Sequence, residues 1–142
     1  MSVRRIVFSF DGSETSLKAL PWAIRFAKES GAATVLLSVF EPLAQYPIGK
    51  AANLLQFEMS AKQYLEDLQN EAKEAFLKEG LTIETVLLDG NPADEIISYA
   101  AANPIDLILC GTRGLGEFGS LLLGSVAHKL VTYSQVPVLV IK

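Results

Sequence analysis

A glycine-rich segment between an apolar run and a helical pattern is the part of this chain best suited to chemistry. Residues 106–126 read DLILCGTRGLGEFGSLLLGSV, and four of the ten glycines of the chain fall within nine residues of it. Glycine lets the backbone approach a ligand closely, and the N–H groups at a helix N-terminus attract anions, most often phosphates. The segment therefore predicts a phosphate-binding loop between a strand that ends at Cys110 and a helix that begins after Gly124.

Two common phosphate-binding motifs fit this segment poorly. The glycines from Gly114 to Gly119 match G-x-G-x-x-G, but no acidic residue follows Glu117. A dinucleotide-binding unit places a carboxylate about 20 residues further on, where it holds the ribose. The run from Gly119 to Ser125 matches the P-loop pattern except for its lysine, which would reach the phosphates. These differences argue against a dinucleotide-binding Rossmann unit and against a P-loop NTPase.

The remaining glycines keep a spacing of their own: Gly111-x-x-Gly114, nine residues, then Gly124-Ser125. This spacing resembles the ATP-binding signature of the universal stress protein family. The opening segment VRRIVFSFDGSETSLKAL, in which Asp11 follows a strand, and the closing segment VPVLVIK are similar to that family's first and last strands. The resemblance therefore spans essentially the whole chain.

Length and composition favour one globular, intracellular domain. The chain has 142 residues, 50% of them hydrophobic and 20% charged, so we expect a sizeable core and a single domain over residues 1–142. A net charge of −4 argues against sequence-independent binding of nucleic acid, which needs clustered lysine and arginine. Cys110 is the only cysteine, which excludes an intrachain disulfide and favours a cytoplasmic location. No apolar run reaches the roughly 18 residues of a membrane span, so no membrane partner is expected.

Apolar runs and helical periodicities alternate along the chain. Strands are predicted at 6–10, 34–40, 81–88, 106–110 and 136–141, and helices at 14–29, 53–79, 91–101 and 125–133. Because the strands are continuous apolar runs separated by helices, we expect an open, doubly wound α/β fold. Its five-stranded parallel sheet would carry helices on both faces. The strand order 3-2-1-4-5 is implied by the family resemblance, and the loop over residues 41–52 could close over a ligand as a lid.

Ligands of such sheets bind at the carboxyl ends of the strands, where the strand order reverses. With the implied order, strands 1 and 4 are neighbours at that point, so Asp11 and Gly111 converge on one crevice. Asp11 could contact a ribose hydroxyl or a magnesium ion, or it could cap the helix that begins near Ser13. Gly111 and Gly114 could present N–H groups to phosphates or form a turn that needs positive φ. Ser125 could cap its own helix, bind a phosphate, or do both.

The family resemblance also implies a set of site residues. Backbone atoms at the ends of strands 1, 2 and 4 frame the adenine in that family, and Val126 falls in the same site. Carried over to this chain, the predicted site comprises Ser9, Phe10, Asp11, Val39, Cys110, Gly111, Gly114, Gly124, Ser125 and Val126. The implied cofactors are ATP and Mg²⁺, with Asp11 as the candidate magnesium ligand.

Three residues that could take part in chemistry also have simple structural or surface interpretations. Arg113 could neutralise phosphate charge or be a solvated loop residue. The only histidine, His128, is interpreted as a surface residue, and Cys110 as a small buried apolar side chain. No cluster of histidine, cysteine and carboxylate residues has the spacing of a metal site.

The expected function is ATP binding that sets a conformational or interaction state. At most slow hydrolysis is expected, because no activated nucleophile, general base or placed arginine finger is apparent. One alternative is an interaction module of the same fold that binds no nucleotide. Another is an adenylyl-transferring enzyme, which would need a second substrate pocket and more basic phosphate ligands.

The apolar last strand, Val136–Ile141, is expected at the sheet edge. There the resemblance implies an antiparallel homodimer, and coverage by the strand's own domain is the alternative.

Overall fold

Strands and helices alternate throughout the computed structural model, which describes residues 2–42, 51–112 and 123–142, with the backbone alone for 51–54. Gly114, Arg113 and residues 43–50 of the predicted 41–52 loop lie outside the described residues. The end of that predicted loop was wrong, because α2 begins at Ala51 and not at Asn53. The elements are β1 (Arg5–Ser9), α1 (Glu14–Ser30), β2 (Ala33–Phe40), α2 (Ala51–Lys78), β3 (Ile83–Asp89), α3 (Pro92–Ala102), β4 (Leu107–Gly111), α4 (Ser125–Tyr133) and β5 (Val138–Ile141).

The five strands form one parallel sheet in the order β3-β2-β1-β4-β5, which confirms the predicted fold class and strand order. Val7 in the central strand pairs with Val35 of β2 and with Ile108 of β4. The chain turns away in opposite directions from β1, so the carboxyl ends of β1 and β4 flank the crevice expected in such a sheet. β5 lies at one edge, as predicted.

Each face of the sheet carries its own apolar core, because successive strand side chains point to opposite sides. Ile6 and Phe8 pack under α1 and α2, whereas Val7 packs under α3 and α4. All three side chains are fully buried. Coverage of both faces explains why the strands are continuous apolar runs rather than alternating ones.

Helix α1 lies unusually close to the sheet at its first turn. A Cβ built on Gly111 of β4 would lie 2.6 Å from Oγ1 of Thr15 and 2.8 Å from its carbonyl carbon. The large side chain of Leu17 is half exposed. Small residues instead form the buried face of α1, namely Ser16, Ala19, Ala23 and Ala27.

The amino end of the sheet is held together by polar contacts between strands. The Asp106 carboxylate accepts hydrogen bonds from the backbone N–H groups of Arg4, at 2.8 Å, and Arg5, at 3.0 Å. The Arg5 guanidinium also forms an ion pair with Glu84 of β3, at 3.1 Å. These contacts link β1 to β4 on one side and to β3 on the other.

Candidate functional site

A cavity of 390 Å³ opens where β1 and β2 end, between the sheet and the helices that follow. Three elements contribute the predicted residues to its lining: the end of β1, the end of β2 and the first turn of α4. Six of the ten predicted site residues line this one cavity, namely Ser9, Phe10, Asp11, Val39, Ser125 and Val126. The fold therefore brings together predicted residues that are more than 110 positions apart in the chain.

Three other predicted residues, Cys110, Gly111 and Gly124, lie beside this cavity, and Gly114 is outside the described residues. Cys110 and Gly111 line a 20 Å³ cavity that shares Asp11 and Val126 with the larger one. The N–H of Gly124 donates to the carbonyl oxygen of Thr112 at 2.6 Å, which holds the start of α4 against the end of β4. The crevice between β1 and β4 thus adjoins the larger cavity, with Asp11 and Val126 lining both.

Asp11 is a half-buried residue at the turn between β1 and α1, and it lines both cavities. Its Oδ1 accepts a hydrogen bond from the N–H of Ser13 at 2.8 Å. The N-cap of α1 is Ser13 itself, whose side chain accepts from the N–H of Ser16. Asp11 therefore orders the turn but does not cap the helix.

Gly111 is a glycine for a reason that the sequence did not reveal. Among the described residues, positive φ occurs at other glycines, such as Gly12, so a positive-φ turn does not explain Gly111. Its missing Cβ instead makes room for the backbone of Thr15 and Ser16 at the start of α1, with Ser16 N at 2.9 Å. Packing of α1 alone thus requires glycine at this position.

The N-terminus of α4 supplies the positive end of a helix dipole to the cavity. Gly124 is the N-cap, with φ −71° and ψ 171°, and Ser125 is the first helical residue. Ser125 therefore does not take the capping position that was one of its predicted roles. The first N–H groups of a helix have no intrahelical acceptor and carry partial positive charge. Ser125 and Val126 lie in this turn and line the cavity.

Backbone hydrogen bonds fix the direction of the peptide groups at the end of β2. The carbonyl oxygen of Leu37 accepts from the N–H of Phe10, which follows β1, and that of Phe40 accepts from the N–H of Gly90 after β3, each at 2.9 Å. Successive residues of a parallel strand direct their N–H and C=O groups to opposite neighbours. The N–H and C=O of Val39 are therefore directed to the β1 side, beyond the point where β1 ends, and Val39 lines the cavity there.

The charged residues among the described lining are Asp11 and Glu41, both acidic. Burial raises the pKa of the nearby Cys110 thiol from 9.0 to about 12, with a smaller contribution from Asp11. Cys110 is thus a protonated, buried side chain, which agrees with its interpretation from the sequence as a small buried apolar residue. His128 is exposed, also as expected. Within the described ranges, no group of three histidine, cysteine or carboxylate residues could hold a metal ion.

One wall of the cavity was not predicted at all, because it comes from α2 and α3. The apolar spacing of α2 indicated a buried face, but it could not tell a cavity wall from ordinary core. The Lys62 ammonium lies 2.8 Å from Asp89 and 5.3 Å from the Phe40 ring, which ties α2 to the ends of β2 and β3. Two further residues of β2 and Glu41 after it were also missed, so the full set of unpredicted lining residues is Leu37, Phe40, Glu41, Ala61, Tyr64, Leu65, Leu68, Pro92 and Ile96.

Comparison with known proteins decides the family. The model of the universal stress protein family matches residues 2–142. The chain belongs to this family. A universal stress protein of Thermus aquaticus is 35% identical over 140 residues, covering 98% of each chain.

In the described part of the chain, none of the helices has the length and apolar character needed to cross a membrane.

Solved structures of universal stress proteins share the fold. UspA of Lactobacillus plantarum superposes with a TM-score of 0.89 at 21% identity, covering 100% of this chain and 99% of its own. A universal stress protein solved in complex with cAMP superposes with a TM-score of 0.76 at 27% identity, covering 100% and 99%. The second of these relatives therefore binds an adenine nucleotide.

Proposed function

We propose that residues 1–142 act as one domain that binds ATP with Mg²⁺ in the 390 Å³ cavity. The observation that carries the proposal is that one cavity joins the N-terminus of α4 to the outward-directed backbone of Val39. A helix N-terminus suits phosphate, and an N–H beside a C=O suits the edge of adenine. The cAMP complex of a relative supports an adenine nucleotide as the ligand.

The base end of the cavity lies at β2. Adenine presents an acceptor, N1, beside a donor, the exocyclic amine, and the N–H and C=O of Val39 complement this pair. Apolar side chains around them, including Phe40 and Leu65, exclude water from the ring. Hydrogen bonds made in such an apolar environment discriminate strongly against a ligand that leaves them unpaired.

The phosphate end lies at α4. The first N–H groups of α4 and the Ser125 hydroxyl would hold the phosphates, and Gly124 allows them to approach. Asp11 would contact the ribose or ligate Mg²⁺, with phosphate oxygens as the remaining ligands. The described lining contains no lysine or arginine. The cation would therefore neutralise much of the triphosphate charge.

The expected output is a change of state rather than rapid turnover. Glu41 is a carboxylate of the lining, but it lies at the base end, remote from where the terminal phosphates would sit. Binding and orientation alone can supply some catalysis, so slow hydrolysis is compatible with the site. The nucleotide would set the conformation or the interactions of the protein.

A homodimer through β5 is the second part of the proposal. β5 is an edge strand, and each of its residues, Val138–Ile141, is only partly buried in the single chain. Edge strands of this kind pair readily with a second copy. Light scattering is expected to give a dimer that Val138→Lys dissociates. A monomer insensitive to that substitution would refute this part alone.

Thermal unfolding with Mg²⁺ and ATP, with AMP, and with neither tests the nucleotide proposal. At 100 times Kd the ligand contributes about 2.7 kcal/mol, which corresponds to a midpoint rise of about 5–15 °C. Gly124→Val is expected to remove the rise, because its side chain would occupy the phosphate position. The φ and ψ of Gly124 are open to valine, so the substitution adds no backbone strain.

Gly31→Ala is the matched control, since Gly31 flanks a helix with positive φ but lies far from the cavity. This variant should unfold earlier yet keep the full rise with ATP. No rise for the unaltered protein at millimolar ATP, after removal of co-purified nucleotide, would refute the proposal. The interaction module that binds no nucleotide would then be favoured.

A further inference from the structure

The inner face of α2 presents a stripe of side chains to the cavity. Ala61, Leu65 and Leu68 lie one helical turn apart along this face, and Tyr64 lies beside them. α2 packs over β2 and β3 rather than over β4. Its stripe therefore stands at the end of the cavity opposite the N-terminus of α4.

Tyr64 is the unusual member of this stripe. It lines the cavity and is 65% exposed, whereas Ala61, Leu65 and Leu68 are each partly buried. An aromatic ring in this position has a face available for a flat partner. Aromatic rings stack well on nucleobases, and every base has a π-face.

The charges of the cavity orient the ligand relative to this stripe. Glu41 follows β2 and lines the same end as Tyr64. A carboxylate there repels phosphate, whereas the helix dipole of α4 attracts it. The base of a nucleotide, and not its phosphates, would therefore face α2.

We infer that Tyr64 is a base-recognition residue, which stacks on the adenine ring and closes the open side of the cavity against α2. The inference rests on the proposed function, because it needs an adenine nucleotide in this cavity. It assigns a role to a residue outside the glycine-rich loop and outside the strand ends. It also implies that the contribution of α2 to nucleotide affinity does not depend on the number of phosphates.

Calorimetric titration with AMP and with ATP plus Mg²⁺ tests the inference. Tyr64→Ala is expected to raise Kd by about tenfold, and by the same factor for both ligands, because loss of stacking affects only the base. Tyr64→Phe keeps the ring and should bind within about twofold of the unaltered protein. Tyr133→Ala removes an equally exposed tyrosine of α4, 68% exposed, and should change neither Kd.

A fluorescence measurement adds a readout that a merely structural role would not move. Trp22 is the only tryptophan, so Tyr64→Trp in a Trp22→Phe background carries a single reporter at the proposed contact. Its emission should be quenched on addition of adenosine, which has no phosphate. Unchanged emission at saturating adenosine would overturn the inference.

The outcomes separate this inference from the proposed function. If the unaltered protein binds ATP and Tyr64→Ala binds equally well, Tyr64 has no part in recognition and the proposed function stands. A loss confined to ATP would place Tyr64 at the phosphates and also overturn the inference. If the unaltered protein binds neither nucleotide, the proposed function fails, and the inference fails with it.

Discussion

Asp106 at the amino end of the sheet and Asp11 at its carboxyl end have different surroundings. At the amino end, Asp106 accepts two backbone N–H groups, and Glu84 is paired with Arg5. At the carboxyl end, Asp11 accepts one backbone N–H and also lines two cavities, and Glu41 lines the larger of them. Asp106 is thus engaged by two backbone N–H groups, whereas Asp11 is engaged by one and also borders the space that is open to a ligand.

We expect this difference to separate residues that stabilise the fold from residues that affect ligand binding. Carboxylates that are fully engaged with the backbone stabilise the folded state, because unmaking their hydrogen bonds leaves donors without a partner. Carboxylates at a cavity can instead act on a ligand. The expectation is that substitutions at the amino end change the free energy of unfolding, and that substitutions at the carboxyl end change ligand affinity.

The largest effect is expected from Asp106→Ala at the amino end. It removes the acceptor of two charge-assisted hydrogen bonds, so the free energy of unfolding should fall by about 2 kcal/mol. Urea denaturation measures the loss, and Asp106→Asn, which keeps an acceptor oxygen, should lose less. ATP affinity should stay unchanged. A fall in affinity would show that the two ends are not independent.

Asp11→Ala should show the reverse pattern. Its ATP affinity is expected to fall about tenfold, or about 1.4 kcal/mol, because the ribose or magnesium contact is lost. The free energy of unfolding should fall by less, since Asp11 makes one hydrogen bond to the turn. Titration with and without Mg²⁺ separates the two roles, because Asp11→Asn keeps a ribose acceptor but removes the charge that favours the cation. Equal affinity for Asp11→Ala would remove Asp11 from the site.

The smallest expected effect is the pH dependence of stability that comes from Cys110. It tests whether the thiol at the end of β4, beside the cavities, is shielded from solvent. Its pKa is about 12 in the folded chain and near 9.0 in the unfolded chain, so the unfolded thiol ionises first as pH rises. The associated stability is complete below pH 9 and is lost towards pH 12. Between pH 8 and pH 10 the native protein should lose about 1 kcal/mol more than Cys110→Ala in urea denaturation. Parallel losses would mean that solvent reaches the thiol.

Most of the fold was predictable because its signals are local. Continuous apolar strands, helical spacing and the glycine and proline boundaries predicted nine elements of the correct type and order, and α4 was placed at Ser125–Tyr133 as observed. The strand order came from the family resemblance, since nothing local distinguishes which buried strand lies next to which.

The boundaries that were wrong have tertiary causes. β3 was expected to begin at Leu81, but the N–H of Leu81 donates to Phe76 and completes the end of α2 around Gly80, which has a φ of +74°. The last strand begins two residues later than expected, because the N–H of Val136 is held by the Ser134 hydroxyl. Each case depends on a side chain or turn that propensity does not describe.

The site was predictable where backbone chemistry leaves a trace in the sequence. Asp11 and Gly124 stood out because their residue types suit a strand end and a helix start. Tyr64 did not, because a tyrosine on a long amphipathic helix has no signal that separates a ligand contact from solvent. Only the position of α2 over β2 makes it a candidate.

The contact between Gly111 and the first turn of α1 has a consequence for how such chains can diverge. A side chain at position 111 would collide with the backbone of Thr15 and Ser16, whether or not a nucleotide is present. At Gly124 the backbone angles, φ −71° and ψ 171°, are open to any residue, so the backbone conformation does not require glycine there. A relative with this packing would therefore keep glycine at position 111 even if it bound no ligand. Gly111 is thus explained by the packing of α1 against the sheet, and its presence in a sequence is not by itself a sign of ligand binding.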